Sequence, residues 1–390
     1  MKLLIITYWD YHDALIQTYT LPYVRLMLNQ TSVNKVVLVT LQQSDKTIQN
    51  PDENIEVLPL RYHRFGAAAV LKMVVNTLIL IRKIRKENIK AIHCWCTTAG
   101  VYGLILKLCT GRRLIIDSFE PHAEPMLEAG VWQKNSLAFQ ILFLCEKLQA
   151  KYANHLIACV ASMKSYSEKK YGIMRHDMLW KPACVDFEHF DFAKRKNEDL
   201  LNQLGLADKI VCVYAGKFGG SYYGIEVFQF IKEAYAFFGD SFRFLLLSNH
   251  PKEEISTWMQ ELDIPAMVLI QTFVDHRVIP NYIGLGDFGL VPFIPVPSKR
   301  YGSPIKTGEY MAMGLPIVIS DGISDDSALV SDHKIGYVLR NQNVEEYHRA
   351  LESLASLMEN RTSTSQKVVG LAKQYKNYHH IGSIYSSVYD

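Results

Sequence analysis

Arg300 to Ser320 reads RYGSPIKTGEYMAMGLPIVIS, and the order of residue types in it decides the fold. Ser303 is a residue type that caps helices, and Pro304 suits the first helical position, where its missing N–H costs nothing. Ile305 to Met313 then form the body of a short helix. Gly314 is a C-terminal stop with Pro316 two residues beyond. Leu315 to Ser320 is an apolar run of the length of a buried strand. A loop therefore feeds a helix whose N-terminus carries unpaired N–H groups, the positive end of a dipole and Lys306, a combination suited to phosphate. Glu309 lies one turn deeper on the side of Ile305, where a carboxylate can accept hydrogen bonds from sugar hydroxyls. The plain alternative is an ordinary capped helix packed on a sheet.

Outward from this stretch the chain alternates strand and helix. Ile210–Ala215 reads as a strand, and Gly216-Lys217-Phe218-Gly219-Gly220 as a glycine-rich turn into a helix from Tyr223 to Phe238. Such a turn lets backbone approach a phosphate, and Lys217 adds a positive charge. Strands follow at Phe242–Ser248, Met267–Gln271 and Asp287–Pro292, with a helix over Asp275–Tyr282 and a loop stiffened by Pro292, Pro295 and Pro297. Val344–Glu359 and Ser365–Tyr389 are helical by pattern.

The N-terminal half shows the same grammar: strands at Lys2–Thr7, Lys35–Thr40, Ile55–Leu60, Lys90–Cys94, Arg112–Asp117 and His155–Val160, with helices between them. Alternation of this kind builds doubly wound parallel sheets, whose ligands gather at the carboxyl ends of the strands. Two polar loops fall there. The loop Tyr8–Asp13 places Tyr11 and His12 where an acceptor is expected. Asp117–Met126, DSFEPHAEPM, sets His122 among the acids Asp117, Glu120 and Glu124; His122 can donate to a developing charge, and Asp117 or Glu120 can orient a hydroxyl. The polar run Asp191–Asp199 reads as an interdomain boundary. Phe65–Ile89, with FGAAAVLKMVVNTLILI followed by Arg82, Lys83, Arg85 and Lys86, reads as a helix on the sheet whose basic end lies near a membrane surface, and residues 65–86 are the expected contact. A solvated basic end with no lipid nearby is the alternative.

The 390 residues suffice for two domains, and 49% hydrophobic with 21% charged residues describes a globular chain. A net charge of +3 and the lack of any basic-repeat or finger pattern argue against nucleic acid as a partner. Seven scattered cysteines argue for a reducing cytosol, and Cys94-x-Cys96 has the wrong spacing for zinc, so no metal site is expected. The opening MKLLIITYWDYHD is read as a first strand rather than a signal peptide.

SPIKTGEYMAMGLPIVIS resembles the donor-site signature of the retaining GT-B glycosyltransferases of family 4, where Glu-x7-Glu runs into E-A/Y-M-A-x-G-x-P-V-V. Glu309 matches the second Glu, which in that family holds the nucleotide ribose, and Tyr301 stands at the first. Other members carry S-P-(L/I)-K-x-x-E-Y-M-A, which this chain follows closely. DSFEPHAEPM resembles a D-x-R-D-x-W-P-E loop, with Phe119 in place of its basic residue. Trp180–Asp186 resembles the P-N-G-V-D linker strand that closes the first domain, with Cys184 for its glycine. Lys217 matches a basic residue after the first strand of the second domain, and a further lysine is replaced by Tyr222 or Tyr223. Thr272-Phe273-Val274 resembles a segment whose backbone pairs with the base.

The resemblance implies an α/β chain of two Rossmann-like doubly wound domains facing a cleft, with the C-terminal helix crossing back: residues 1–190 for the acceptor, 191–365 for the donor, and 366–390 returning. It implies transfer of a sugar from a nucleotide-diphosphate sugar to a glycan or lipid-linked acceptor with retained configuration and without a cofactor, UDP-sugars being favoured over GDP-sugars. Lys217, Lys306, Glu309 and His122 would carry the chemistry. Gly216, Phe273, Val274, Tyr301, Ser303, Pro304, Ile305 and Thr307 would bind the donor, and Tyr11, His12, Asp117, Glu120 and Glu124 would line the acceptor side. The implied place is the cytoplasm, peripheral on the inner membrane face. The competing readings are a non-catalytic GT-B subunit that binds nucleotide sugar or glycan for a partner enzyme, and a nucleotide-sugar epimerase.

Overall fold

The computed structural model describes every residue except 14, 44, 45, 49, 51 and 63–66, and the side chains of 67–70 and 379 are also outside the description. The chain divides into two units: Met1–Pro182 with His379–Asp390, and Ala183–Tyr378. The boundary expected at 190/191 thus lies a few residues earlier. The return expected at 366 comes only at His379, because the helix Arg361–Tyr375 packs within the second unit.

The first unit holds β1 (Lys2–Ile6), β2 (Lys35–Gln42), β3 (Ile55–Arg61), β4 (Ala91–Trp95), β5 (Arg113–Phe119), β6 (His155–Ala158) and β7 (Leu179–Trp180). All pair in parallel, in the order β3-β2-β1-β4-β5-β6-β7. The second unit holds β8 (Ile210–Ala215), β9 (Phe242–Leu247), β10 (Leu269–Thr272), β11 (Phe288–Val291), β12 (Ile317–Ser320) and β13 (Gly336–Leu339), again all parallel, in the order β10-β9-β8-β11-β12-β13. Parallel sheets are covered on both faces, which is why β4 and β12 are buried along their whole length and read as continuous apolar runs. In each sheet the order reverses beside the first strand, at β1/β4 and at β8/β11. Those reversals open crevices at the carboxyl ends of the strands.

Several local expectations shift. The central helix spans Ile305–Ala312 with Pro304, not Ser303, at its N-cap, and no side chain caps it. Ser303 Oγ instead accepts from the Ala183 N–H at 2.9 Å. The final helical pattern breaks into Arg361–Tyr375 and His379–Tyr389. The break falls where Lys376 buries its ammonium against Asp326 at 2.5 Å and its carbonyl accepts from the Val185 N–H at 2.8 Å. β13 was not anticipated, since Gly336–Leu339 is too short to show a period. The helix expected from Phe65 is described from Ala67 to Lys86, and Phe65 lies outside the described residues.

The first unit is organised around a buried ion pair. Asp117, at the end of β5, and Lys181, just past β7, are 0% and 1% exposed, with Oδ1 and Nζ 2.9 Å apart. Tyr385 of the last helix donates to Asp117 Oδ2 at 2.7 Å, and Lys181 Nζ donates to Tyr19 Oη at 3.2 Å. The ammonium also lies 4.3 Å from the centroid of the Tyr23 ring, with Tyr19, Trp95 and Tyr385 farther out. Burial alone would raise the Asp117 carboxyl, but Lys181 together with His93 and Tyr385 holds it well below the usual carboxylate range. Asp117, expected on the acceptor side, is therefore a core residue that fastens the returning helix.

Removing one partner of a buried pair strands the other charge. Asp117→Ala should cost about 3–5 kcal/mol in urea unfolding, and the double variant Asp117→Ala/Lys181→Met should lose less than the single one.

Candidate functional site

The residues singled out around Arg300–Ser320 converge at the β8/β11 reversal. Gly216 follows β8, and the loop after it folds back: the Tyr222 N–H donates to the Gly219 carbonyl, Tyr223 N–H to Pro292 O and Ile294 N–H to Ser221 O, at 3.1, 3.0 and 3.0 Å. Gly219 and Gly220 take φ of +79° and +64°, a backbone that L side chains rarely adopt. The glycine-rich turn is thereby zipped onto the segment leaving β11. Lys217 is exposed on it.

The helix Ile305–Ala312 is fastened beneath this loop by Tyr310. The Tyr310 hydroxyl accepts from the Ala215 N–H at 2.8 Å, and a Cβ on Gly289 of β11 would meet its ring at 2.6 Å. The helix thus presents its uncapped first N–H groups at the sheet's carboxyl edge. Lys306, in the first turn, passes directly over Gly216, where an added Cβ would lie 2.6 Å from Cε and 3.0 Å from Nζ. Its ammonium donates to Tyr222 Oη at 3.1 Å and sits 4.3 Å from the Tyr222 ring centroid, with Tyr214 and Phe293 at 5.7 and 5.8 Å. Tyr222, which with Tyr223 the resemblance offered as the replacement of a further lysine, is the residue that contacts Lys306. Its signal in the sequence was a substitution, and the contact needed the folded loop.

Glu309 is 9% exposed, and no side-chain hydrogen bond to it is found among the described residues. Burial pushes its carboxyl up to about 7, against the pull of Lys306. Thr307 is fully buried with its hydroxyl unpartnered. Ile305 and Pro304 complete the helix mouth, and Tyr301 ends the short 3-10 turn Pro297–Tyr301. Phe273 and Val274 follow β10 at the same edge, and Phe273 is 70% exposed.

The residues expected on the acceptor side divide. His12 is exposed, whereas Tyr11 is turned into the core. Glu124 is tied to Lys170 at 2.6 Å and accepts from the Tyr166 hydroxyl at 2.8 Å, so it braces two helices. Phe119 is fully buried against Tyr171. His122 lies at the β5 edge with Nδ1 2.6 Å from Thr97 Oγ1 and 3.2 Å from the Glu120 carbonyl. Burial would lower the imidazole, but Cys96, Glu120 and Glu146 outweigh it and raise it to about 10. Among the described residues no group of three or more His, Cys, Asp and Glu side chains is placed to hold a metal ion.

The raised Glu309 carboxyl has a consequence for stability. The folded form keeps its proton to about pH 7, so this residue's contribution is intact below the unfolded carboxylate range and falls away as pH rises to about 7. Glu309→Gln should therefore melt like the wild type at pH 4 and higher than it at pH 8, by the equivalent of up to about 3 kcal/mol, in thermal scans at both pH values.

Comparison with known proteins agrees with this layout. Residues 209–356 match the family model described as Glycosyl transferases group 1. No curated protein matches the chain in sequence. Among solved structures, sucrose-phosphate synthase of Thermosynechococcus elongatus superposes with a TM-score of 0.79 at 15% identity, over 100% of this chain and 98% of that one. HepE of Anabaena in complex with UDP-glucose gives 0.72 at 13% over 100% and 99%, and WaaG, a glycosyltransferase involved in lipopolysaccharide biosynthesis, gives 0.74 at 9% over 99% and 100%. The chain has the GT-B fold of two Rossmann-like units, and residues 209–356 match the glycosyl transferases group 1 family model.

Proposed function

We propose that the protein is a retaining glycosyltransferase that moves a sugar from a UDP-sugar to a glycan or lipid-linked acceptor. The observation that carries this reading is the helix mouth at the β8/β11 reversal: uncapped amides, Lys306 laid over Gly216, and Glu309 one turn deeper. The amides, Lys306 and Lys217 neutralise a diphosphate, and charge developing on that leaving group is what the transfer must stabilise. Glu309 accepts from the ribose hydroxyls, which satisfies a buried carboxyl that lacks partners. The unpartnered Thr307 hydroxyl and the exposed Phe273 ring suit further contacts to phosphate and base. HepE, whose structures contain UDP and UDP-glucose, supports UDP as the nucleotide. In the first unit, His122 is assigned the role of a hydrogen-bond donor in the chemistry, with Glu120 and His12 assigned to the acceptor.

A non-catalytic GT-B subunit is the second reading. Tyr301, Tyr223 and the buried Phe119, at positions where the family pattern is ionisable, favour it. An epimerase would convert the donor alone, and a binding subunit would turn over nothing.

Contact with a membrane surface extends the proposal. No helix among the described residues is long and apolar enough to cross a membrane. The helix Ala67–Lys86, however, exposes Leu71, Val74, Val75, Leu78 and Ile79 at helical spacing, with Lys72, Arg82, Arg85 and Lys86 also exposed. The helix Leu137–Tyr152, two positions along the same layer, exposes Leu137, Ile141 and Leu144 beside Lys147 and Lys151. Apolar stripes edged with lysine and arginine suit anionic lipid.

Titration calorimetry with UDP-glucose and GDP-mannose tests the donor site. UDP-glucose should bind the wild type, and Lys306→Ala or Gly216→Ala should weaken it by about 10–100-fold, as expected for loss of a charge-assisted phosphate contact. Absence of binding by any nucleotide sugar would overturn the transferase reading. Co-sedimentation should show binding to vesicles rich in phosphatidylglycerol and not to phosphatidylcholine vesicles, and Leu78→Asp/Ile79→Asp should abolish it.

A further inference from the structure

Asp287 stands just before β11, at the amino edge of the second sheet, and is buried. One of its oxygens ties together the two strands beside the reversal. Oδ2 accepts from the Val211 N–H at 2.9 Å, and the Asp287 N–H donates to the Val211 carbonyl at 2.8 Å. The other oxygen faces more positive charge than one carboxylate balances. Lys196 Nζ lies 3.0 Å and Arg361 Nη1 3.5 Å from Oδ1, and Asp287 also acts on the nearby Arg195 guanidinium. Among the described residues Asp287 is the one carboxylate at ion-pair distance from Lys196 or Arg361. Two positive charges are left over. The proposed donor site lies at the opposite edge, about 13 Å away along the four residues of β11, and uses none of these groups.

The cations are fixed in place without being neutralised. The turn before β11 offers three successive carbonyls. Gly284 accepts from the Lys196 N–H at 3.0 Å, Leu285 from Lys196 Nζ at 2.7 Å and Gly286 from Arg195 Nη2 at 3.2 Å. Gly284 permits this approach, since a Cβ there would lie 3.2 Å from Arg195 Cα. Arg195 Nη1 donates to Ser365 Oγ, and Arg361 lies four residues before Ser365, so the two guanidinium groups converge on one helix face a turn apart. Arg195 Nε is buried with no partner among the described residues. Burial lowers the Arg195 guanidinium and the Lys196 ammonium, and repulsion from Arg361 adds to this, by more than Asp287 offsets. A nearby anion reverses both effects.

We propose that Arg195, Lys196 and Arg361 form an anion site at the amino edge of the second sheet, which takes the dianionic phosphate group of a small soluble molecule. Two negative charges match the surplus, and the planar fork of a guanidinium matches a pair of phosphate oxygens. Lys196 is partly and Arg361 half exposed, so the group enters from solvent, on the side of the cations away from Asp287. The unpartnered Arg195 Nε lies below the surface. A compact anion reaches that depth, and a flat lipid surface does not.

The test titrates the full chain with inorganic phosphate at pH 7.5, at constant ionic strength set with potassium chloride, and reads the melting temperature. It is run in a Lys306→Ala background, so that phosphate at the proposed donor site adds little. The background chain should show a saturating rise. Arg361→Gln should need about ten-fold more phosphate for the same rise, as expected on losing one charge-assisted contact. Lys196→Gln should behave likewise, and it decides where Arg361→Gln fails to fold. Phosphate also raises melting temperatures by exclusion from protein surfaces, but that effect does not saturate and is common to all variants. A rise that never saturates, or one that is equal in the background and both variants, overturns the proposal. The readout involves no nucleotide sugar, so failure here leaves the proposed function standing, and failure of UDP-glucose to bind leaves this site standing.

Discussion

A lysine buried within two residues of each passage between the units sets the terms for everything else in this chain. Lys181 precedes the passage at Pro182 and is locked in the first unit by Asp117. Lys376 precedes the return at His379 and is locked in the second by Asp326. Burying an ammonium is costly unless its partner is held in place, so each pair is an all-or-nothing anchor rather than an adjustable contact. Asp117 gathers β5, the end of β7 and the last helix into one polar knot in an aromatic box, so the C-terminal helix is part of the first unit's core. Val185 and Asn377, beside the two anchors, pair with each other, which fixes where the second unit begins and ends.

Within the second unit the site is assembled from parts that each look ordinary. A proline at the N-cap leaves helix amides unclaimed, and a glycine after β8 leaves room for a lysine to cross. Three aromatic rings hold that lysine's charge by cation–π contact while leaving it one strong donor bond, to Tyr222. Close by, burial pushes the Glu309 carboxyl up to about 7 against the pull of Lys306. Cation and latent anion thus lie on one helix, one turn apart.

The first unit shows how polar density misleads. Asp117–Met126 contains the acids and the histidine of a functional loop, yet two of its acids are structural: Asp117 sits in the core and Glu124 is bound to Lys170. His122 and Glu120 are the members of the loop left to the proposed chemistry, and Cys96, Glu120 and Glu146 raise the imidazole against the effect of burial. A loop's composition gives the groups available, while burial and pairing decide which of them remain to meet a ligand.

Much of this was legible in the residues themselves. Apolar runs separated by helical patterns gave two doubly wound sheets, because strands buried on both faces must be apolar throughout. The order SPIKTGEYMAMG specified a helix mouth with a lysine and a deeper glutamate, because helix ends and periodicity are local properties. Lys181, Tyr222 and Tyr385 carried no such mark. A lysine in a linker, a tyrosine in place of a lysine and a tyrosine in the last helix are unremarkable in one dimension. Their roles rest on contacts across tens to hundreds of residues, such as Tyr385 with Asp117 and Lys306 with Tyr222, and only tertiary packing creates the low-dielectric surroundings that make those contacts strong.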